Sequence, residues 1–336
     1  MTVGWGIIGI GIHANSYMAP AISRAANTKF VAICHRSMER AKEFATKHGV
    51  ERAYDSFEKM LDDPKVDVVY VATPNNLHAQ YTIQAAEAGK HVLCEKPMAL
   101  TETECEHMIE ACNKNKVKLG IDFQLRYHPA HAEAHRLIQD GKIGEIYVVK
   151  AQYCHGFMHG HWEGTWRDEP NITGAGALSA IGVHPIDLLR FLLDSEVEEV
   201  HALCAIQTPY HIVDEMVYAI LKFRNGVHGV VIAGLLAPRS DNDVVLYGSQ
   251  AKITCKGTVG MPLQGELLVE GDVINLRMAF PTNDLTPGNY IRVVEAFNNC
   301  IEENTELDIS GYNGLQMVRI SNAILESSHQ GKAVRI

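Results

Sequence analysis

The run Glu95-Lys96-Pro97 closes an apolar segment, Val92-Leu93-Cys94, and leaves one amine at the end of what reads as a buried strand. A lysine there can donate a hydrogen bond to a carbonyl or hydroxyl oxygen and help move its proton, while Pro97 fixes the backbone behind it. The plain alternative is a lysine snorkelling from a strand end. Far upstream, Gly9-Ile10-Gly11-Ile12-His13-Ala14 follows the apolar run Trp5-Gly6-Ile7-Ile8 and precedes an Ala-rich stretch from Tyr17 to Ala26. This GxGxxA turn suits a dinucleotide: Gly9 allows the tight bend, Gly11 lets backbone approach a pyrophosphate, and Ala14 packs helix against sheet. The helix start would meet the phosphates with free amides and its positive end.

The elements that must position these groups repeat. From Val3 to about Gly120, short apolar runs alternate with helical periods, which predicts a parallel sheet wrapped by helices. Strands are expected at Gly4 to Gly9, Lys29 to Cys34, Val66 to Ala72, His91 to Cys94 and Lys118 to Ile121. Asp55-Ser56-Phe57-Glu58 and Thr101-Glu102-Thr103-Glu104 read as capping boxes, and Gly89 as a helix stop. Lys96 then stands at the C-terminal edge of the sheet, where open α/β folds hold ligands.

Beyond Asp122 the rhythm changes to long alternating segments: Ile146 to His155, Val197 to Thr208, Glu215 to Phe223, Val227 to Ala233, Asp243 to Tyr247 and Glu266 to Val269. They predict one large antiparallel sheet, interrupted by helices at Pro129 to Gln139, Ala177 to Leu193, Tyr290 to Glu303 and Gly314 to Ser328. The expected fold is α/β: a Rossmann parallel sheet over residues 1–122, then an α+β domain on a large, mainly antiparallel open sheet over 123–336. An open sheet face of that size predicts self-association as a homodimer or homotetramer.

Bulk composition limits the partners. The 336 residues are 46% hydrophobic and 21% charged, the balance of a soluble globular protein. The apolar runs fall short of a membrane span, and the first strand begins almost at Met1, so neither membrane nor secretory signal is expected. The 8 cysteines are scattered without a CxxC pair, which points to a reduced, cytoplasmic setting. A net charge of -10 argues against nucleic acid.

NAD-binding folds place an acidic residue at the end of the second strand to accept the ribose 2'-hydroxyl. Here that strand ends Ile33-Cys34-His35-Arg36-Ser37, without a carboxylate, and Arg36 with Arg40 can pair a 2'-phosphate. NADP(H) is therefore preferred, with NAD(H) as the alternative. The expected cofactor contacts here are Gly9, Gly11, Ile12 and His13 from the turn and His35, Arg36, Ser37 and Arg40 from the strand tip; solvated arginines are the plain reading of the last.

Five stretches beyond the glycine turn carry a wider likeness: Ala72-Thr73-Pro74-Asn75-Asn76-Leu77-His78, Gly89 to Pro97, Trp166-Arg167, Gly174-Ala175-Gly176-Ala177-Leu178, and Gly182-Val183-His184-Pro185-Ile186-Asp187. With them the chain resembles the glucose-fructose oxidoreductase and inositol dehydrogenase (Gfo/Idh/MocA) family along essentially its whole length. Among members it is most similar to NADP(H)-dependent sugar reductases and dehydrogenases, through Arg40, Leu125-Arg126 and Trp166-Arg167. The resemblance implies hydride transfer between cofactor and a carbohydrate or polyol, interconverting a carbonyl and a secondary alcohol. It implies that Thr73, Pro74, Asn76 and His78 line the cofactor, that Glu95 contacts the nicotinamide ribose, and that Lys96 sits beside the hydride-transfer carbon. Trp166 and Arg167 would reach the cofactor from the second domain, and His184 would be the acid in reduction and the base in oxidation.

One departure stands out. The family carries an aspartate four residues before the histidine, on the same helical face; this chain has Ala180. Ser179 diverges from that face, and Asp187 reads as a structural residue. Candidates to fill the gap are Tyr153, His155, Asp122, Gln124 and the loop His159-Gly160-His161-Trp162. The expected substrate contacts are Lys96, Gln124, Arg126, Tyr153, His155, Trp162 and His184. Histidines 155, 159 and 161, or His131 with His135, could suggest zinc, but neither stretch holds a full ligand set, so no metal is expected. Two rivals remain: a redox-neutral glycoside-cleaving enzyme using a held cofactor, and a cofactor-sensing protein that has lost catalysis.

Overall fold

The computed structural model describes residues 2–156, 162–260, 264–281 and 288–336; His159, Gly160 and His161 lie outside them. Two compact units form, Met1–Asp122 with Thr286–Leu315 and Phe123–Leu285 with Gln316–Ile336.

The first unit is built on six parallel strands: β1 (Val3–Ile8), β2 (Thr28–Cys34), β3 (Arg52–Tyr54), β4 (Val68–Val71), β5 (His91–Cys94) and β6 (Leu119–Ile121), in the order β3-β2-β1-β4-β5-β6. Every residue of β1 and β4 is buried, which is why these strands read as unbroken apolar runs. β3 is the strand the sequence reading misses. It has three half-buried residues, and what secures it is Asp63, which accepts from Arg52 Nη1 at 2.5 Å and from the Tyr54 hydroxyl at 3.0 Å. The Thr101–Glu104 capping box forms as expected. At the other predicted box the cap is Ser56, which accepts from Lys59 N, while Glu58 takes the Ser56 hydroxyl, so no reciprocal box closes.

The helix Gly288–Glu303 belongs to this unit, which corrects the assignment of 123–336 to a single second domain. Its anchor is Trp5, fully buried, whose Nε1 donates to Asn298 Oδ1 at 2.9 Å and whose ring meets Phe297 edge-on at 5.6 Å. Tyr290 stacks on Tyr17 at 5.3 Å, and Ile121 N donates to Ile309 O at 2.7 Å. Aromatic burial on this scale outweighs chain continuity in deciding where a helix docks.

The second unit carries nine strands: β7 (Ile146–Cys154), β8 (Val197–Ala205), β9 (Met216–Phe223), β10 (His228–Gly234), β11 (Val244–Gly248), β12 (Ala251–Lys256), β13 (Gly265–Gly271), β14 (Asn275–Phe280) and β15 (Val334–Arg335). Their order is β14-β13-β12-β11-β7-β10-β9-β8-β15. The sheet is antiparallel except at its centre, where β7 and β10 run parallel, Val148 beside His228 through Cys154 beside Gly234. The sequence reading misses β12, β14 and β15, and this parallel pair. Along β8, β9 and β10 buried Val200, Ala219 and Val231 face the core, whereas Leu203, Ile220 and Val230 are exposed. The apolar stretch Pro170–Leu193 is long enough to cross a membrane, yet 89% of its most apolar window is buried inside the fold, as a core helix requires.

Candidate active site

Within the first unit, the loops after β1, β4, β5 and β6 share the C-terminal edge of the sheet. Gly9 adopts φ +97, and a Cβ there would come within 2.4 Å of Ala72 O, so only glycine makes the bend. Gly11 and Ile12 are exposed, and a Cβ on Gly11 would meet nothing within 4 Å. The helix that follows widens to a π turn over Ala14–Met18. A helix start directs its first amides outward, and the small-residue cradle before it fits a pyrophosphate.

At the end of β2, His35 Nδ1 accepts from Ser37 N at 3.1 Å, and Ser37 Oγ caps the helix Met38–His48. Burial, with Arg40 and Arg36 nearby, lowers the His35 pKa. Arg36 and Arg40 are exposed and make no ion pair among the described residues. After β4, Thr73 and Pro74 are half-buried and Asn76 is exposed. His78 is 1% exposed; Nδ1 lies 2.8 Å from Pro97 O and Nε2 3.0 Å from Thr73 O. The imidazole therefore latches the β4 and β5 loops together, where the sequence reading has it line a cofactor.

Glu95 is nearly buried and committed on both oxygens. Oε2 accepts from Lys96 N at 3.2 Å, while Oε1 accepts the Tyr70 hydroxyl and lies 3.5 Å from His13 Nδ1. Burial works against its charge, but His13, Lys96 and the Tyr70 hydroxyl together hold Glu95 below the usual carboxylate range. Asp122, a candidate to fill the gap left by the missing family aspartate, is 1% exposed with Oδ2 at 3.2 Å from the Tyr70 hydroxyl. Burial and the Glu95 charge push its carboxyl well above the usual range.

In the second unit, a buried carboxylate starts the histidine helix. Asp214 accepts from Gly176 N at 2.6 Å and Leu178 N at 2.8 Å, and its carbonyl from Ala177 N at 2.7 Å. A Cβ on Gly176 would lie 2.1 Å from Asp214 O, which explains glycine there. The chain then makes a π turn, Leu178–Gly182, before the helix Val183–Leu193. His184 is 4% exposed, and its ring stands 6.0 Å from that of Tyr153, which in turn meets His155 at 4.9 Å. Burial lowers the His155 pKa. Ala180 is half-buried.

Other expected contacts have their own packing within the second unit. Arg126 grips Asp187 with Nε and Nη2 at 2.7 and 2.5 Å, so its guanidinium is spent inside the unit. Gln124 is buried on the same short turn. Trp162 is 8% exposed and packs near His211, and the Arg167 guanidinium lies 4.4 Å above the Trp166 ring. Among the described residues no group of three metal-binding side chains gathers: His131 bonds Leu125 O and Thr258, while His135 faces Asp194. Sequence reasoning misses Tyr70 and Asp214. A tyrosine inside the apolar run Val68–Val71 is a usable signal, because a buried hydroxyl needs a partner; Asp214 has no local signature.

Comparison with known proteins agrees with this fold. A family model described as an oxidoreductase family with an NAD-binding Rossmann fold matches residues 3–123, and a GFO/IDH/MocA C-terminal domain matches 131–254. The chain is 29% identical to 1,5-anhydro-D-fructose reductase of Ensifer adhaerens over 99% of its own length and 98% of the relative's. It is 30% identical to trans-1,2-dihydrobenzene-1,2-diol dehydrogenase of Danio rerio over 84% of this chain and 81% of that one. A levoglucosan dehydrogenase solved with NADH and levoglucosan superposes with a TM-score of 0.89 at 27% identity, covering 100% of both chains.

Proposed function

This chain belongs to the Gfo/Idh/MocA oxidoreductase family, and we propose that it interconverts a carbonyl and a secondary alcohol on a sugar, anhydrosugar or cyclitol, with NADP(H) as the preferred cofactor. The observation that carries the reading is the end of β5, where Glu95 links Lys96 to His13 of the glycine-turn helix. The names of the relatives supply the substrate class: an anhydrofructose, a dihydrodiol and levoglucosan are all polyhydroxylated rings or close to them.

When bound, the nicotinamide supplies or takes up the hydride. The protein must hold the substrate and manage one proton. Lys96 donates a hydrogen bond to the reacting oxygen, and His184 gives that oxygen its proton in reduction and removes it in oxidation. Arg36 and Arg40, exposed and without a carboxylate at the strand tip, support the 2'-phosphate of NADP(H). The exposed apolar face carrying Leu203, Tyr218, Ile220, Val230 and Tyr247 supports burial against a second copy of the chain.

Turnover with keto sugars, anhydrosugars and cyclitols, followed by nicotinamide absorbance, tests the reading. Lys96→Ala and His184→Ala should each lower kcat by about 10²- to 10⁴-fold with cofactor affinity largely kept. Full turnover in both variants would overturn it.

A further inference from the structure

Tyr70 lies within β4, and Glu95 and Asp122 follow β5 and β6, three adjacent strands; the residues are 0%, 8% and 1% exposed. The Tyr70 hydroxyl is in hydrogen-bonding contact with a Glu95 oxygen and with Asp122 Oδ2. One hydroxyl has one hydrogen. It can serve only one of two carboxylates, and a second buried anion beside Glu95 would be repelled across the shared phenol. A second proton in the cluster removes that repulsion.

Its location follows from the neighbours. Glu95 also receives Lys96 N–H and stands beside His13, whereas Asp122 Oδ1 is buried with no hydrogen-bond partner among the described residues. An acid carbonyl oxygen tolerates that isolation better than an anionic oxygen does. We propose that Asp122 is carried as the neutral acid and acts as a positioning residue: its O–H donates to Tyr70 Oη and so turns the Tyr70 hydrogen onto Glu95. The other groups bearing on the cluster are Lys96, His13, His78 and Tyr290 of the helix Gly288–Glu303. The arrangement leaves one negative charge, on Glu95, facing Lys96. Burial and the Glu95 charge, which raise the Asp122 pKa, act in the same sense.

The consequence for turnover rests on the sugar oxidoreductase reading; the protonation state does not. Infrared difference spectra of the whole protein at neutral pH should show a carboxylic-acid carbonyl band that vanishes in Asp122→Asn. Absence of that band from the unaltered protein, or its persistence at full strength in Asp122→Asn, overturns the proton assignment. In turnover, Asp122→Leu should lower kcat about tenfold, the worth of one hydrogen bond, with KM unchanged. Asp122→Asn, whose amide still donates to Tyr70, should recover kcat to within about threefold. Equal kcat in the two variants overturns the positioning role. If the unaltered protein turns over no sugar or polyol, the activity reading fails while the infrared spectra still decide the state of Asp122.

Discussion

Arg126 and Asp187 form a two-pronged ion pair in the interior of the second unit, with side chains 8% and 3% exposed. Asp187 also receives Arg190 Nη1 at 3.1 Å, and Arg190 reaches Glu196 at 2.8 Å through both Nε and Nη2. Removing one partner weakens the compensation of a buried charge: Arg126 loses this carboxylate, or Asp187 loses its two-pronged donor and keeps Arg190. Arg126→Gln or Asp187→Asn should therefore lower the unfolding free energy by about 3–5 kcal/mol in urea denaturation. The double change Arg126→Met with Asp187→Leu should cost less than the sum of the singles, because Arg190 keeps Glu196. Additive losses would show that the pair is not a coupled unit.

Cofactor choice turns on the tip of β2. Arg36→Asp places a carboxylate where a 2'-phosphate would be repelled, and should weaken NADPH about ten- to hundredfold while leaving NADH little changed. Fluorescence titration with both cofactors measures the ratio, and an unchanged preference for NADPH removes the assignment.

Acid should loosen the first unit through Asp63. Burial opposes its ionisation, but Arg52, Lys65 N at 3.0 Å and Tyr54 hold its pKa below the usual value. A carboxylate lowered in the folded state stabilises fully above its unfolded pKa of about 4, and that contribution disappears as pH falls through the folded value. Melting temperatures between about pH 2 and 7 should thus fall less steeply on the acid side for Asp63→Asn, which starts less stable at neutral pH. Parallel curves would reject the linkage.

Asp214 sets the start of the His184 helix. Asp214→Ala strips acceptors from Gly176 N and Leu178 N, and should cost about 1–3 kcal/mol per buried amide left without a partner. A kcat loss beyond the loss of stability, read on folded enzyme, would indicate that the helix start also positions His184. Unchanged stability would contradict the capping role.

The strands of the parallel sheet were legible because burial on both faces leaves continuous apolar runs; β5 falls on His91–Cys94 as expected. β3 was not, since Arg52-Ala53-Tyr54 owes its place to Asp63 rather than to hydrophobicity. In the second unit alternation revealed six strands but not their direction, because period-two patterning is the same for parallel and antiparallel neighbours, as β7 beside β10 illustrates. The placement of Lys96 after a buried strand and of His184 on a helix was legible through their motifs. The fates of Arg126, His78 and Asp122 depend on partners distant in sequence or on the opposite side of a loop, which no local pattern encodes.

The wide turn at Leu178–Gly182 alters the arithmetic of this helix. Counting back four from His184 along an ordinary α-helix overestimates the angular step, since each residue of a π turn rotates the chain less. Ala180 and Ser179 therefore stand at angles around the axis different from those that α-helical spacing assigns. Anyone grafting an acidic side chain beside the imidazole should choose between these two sites from coordinates.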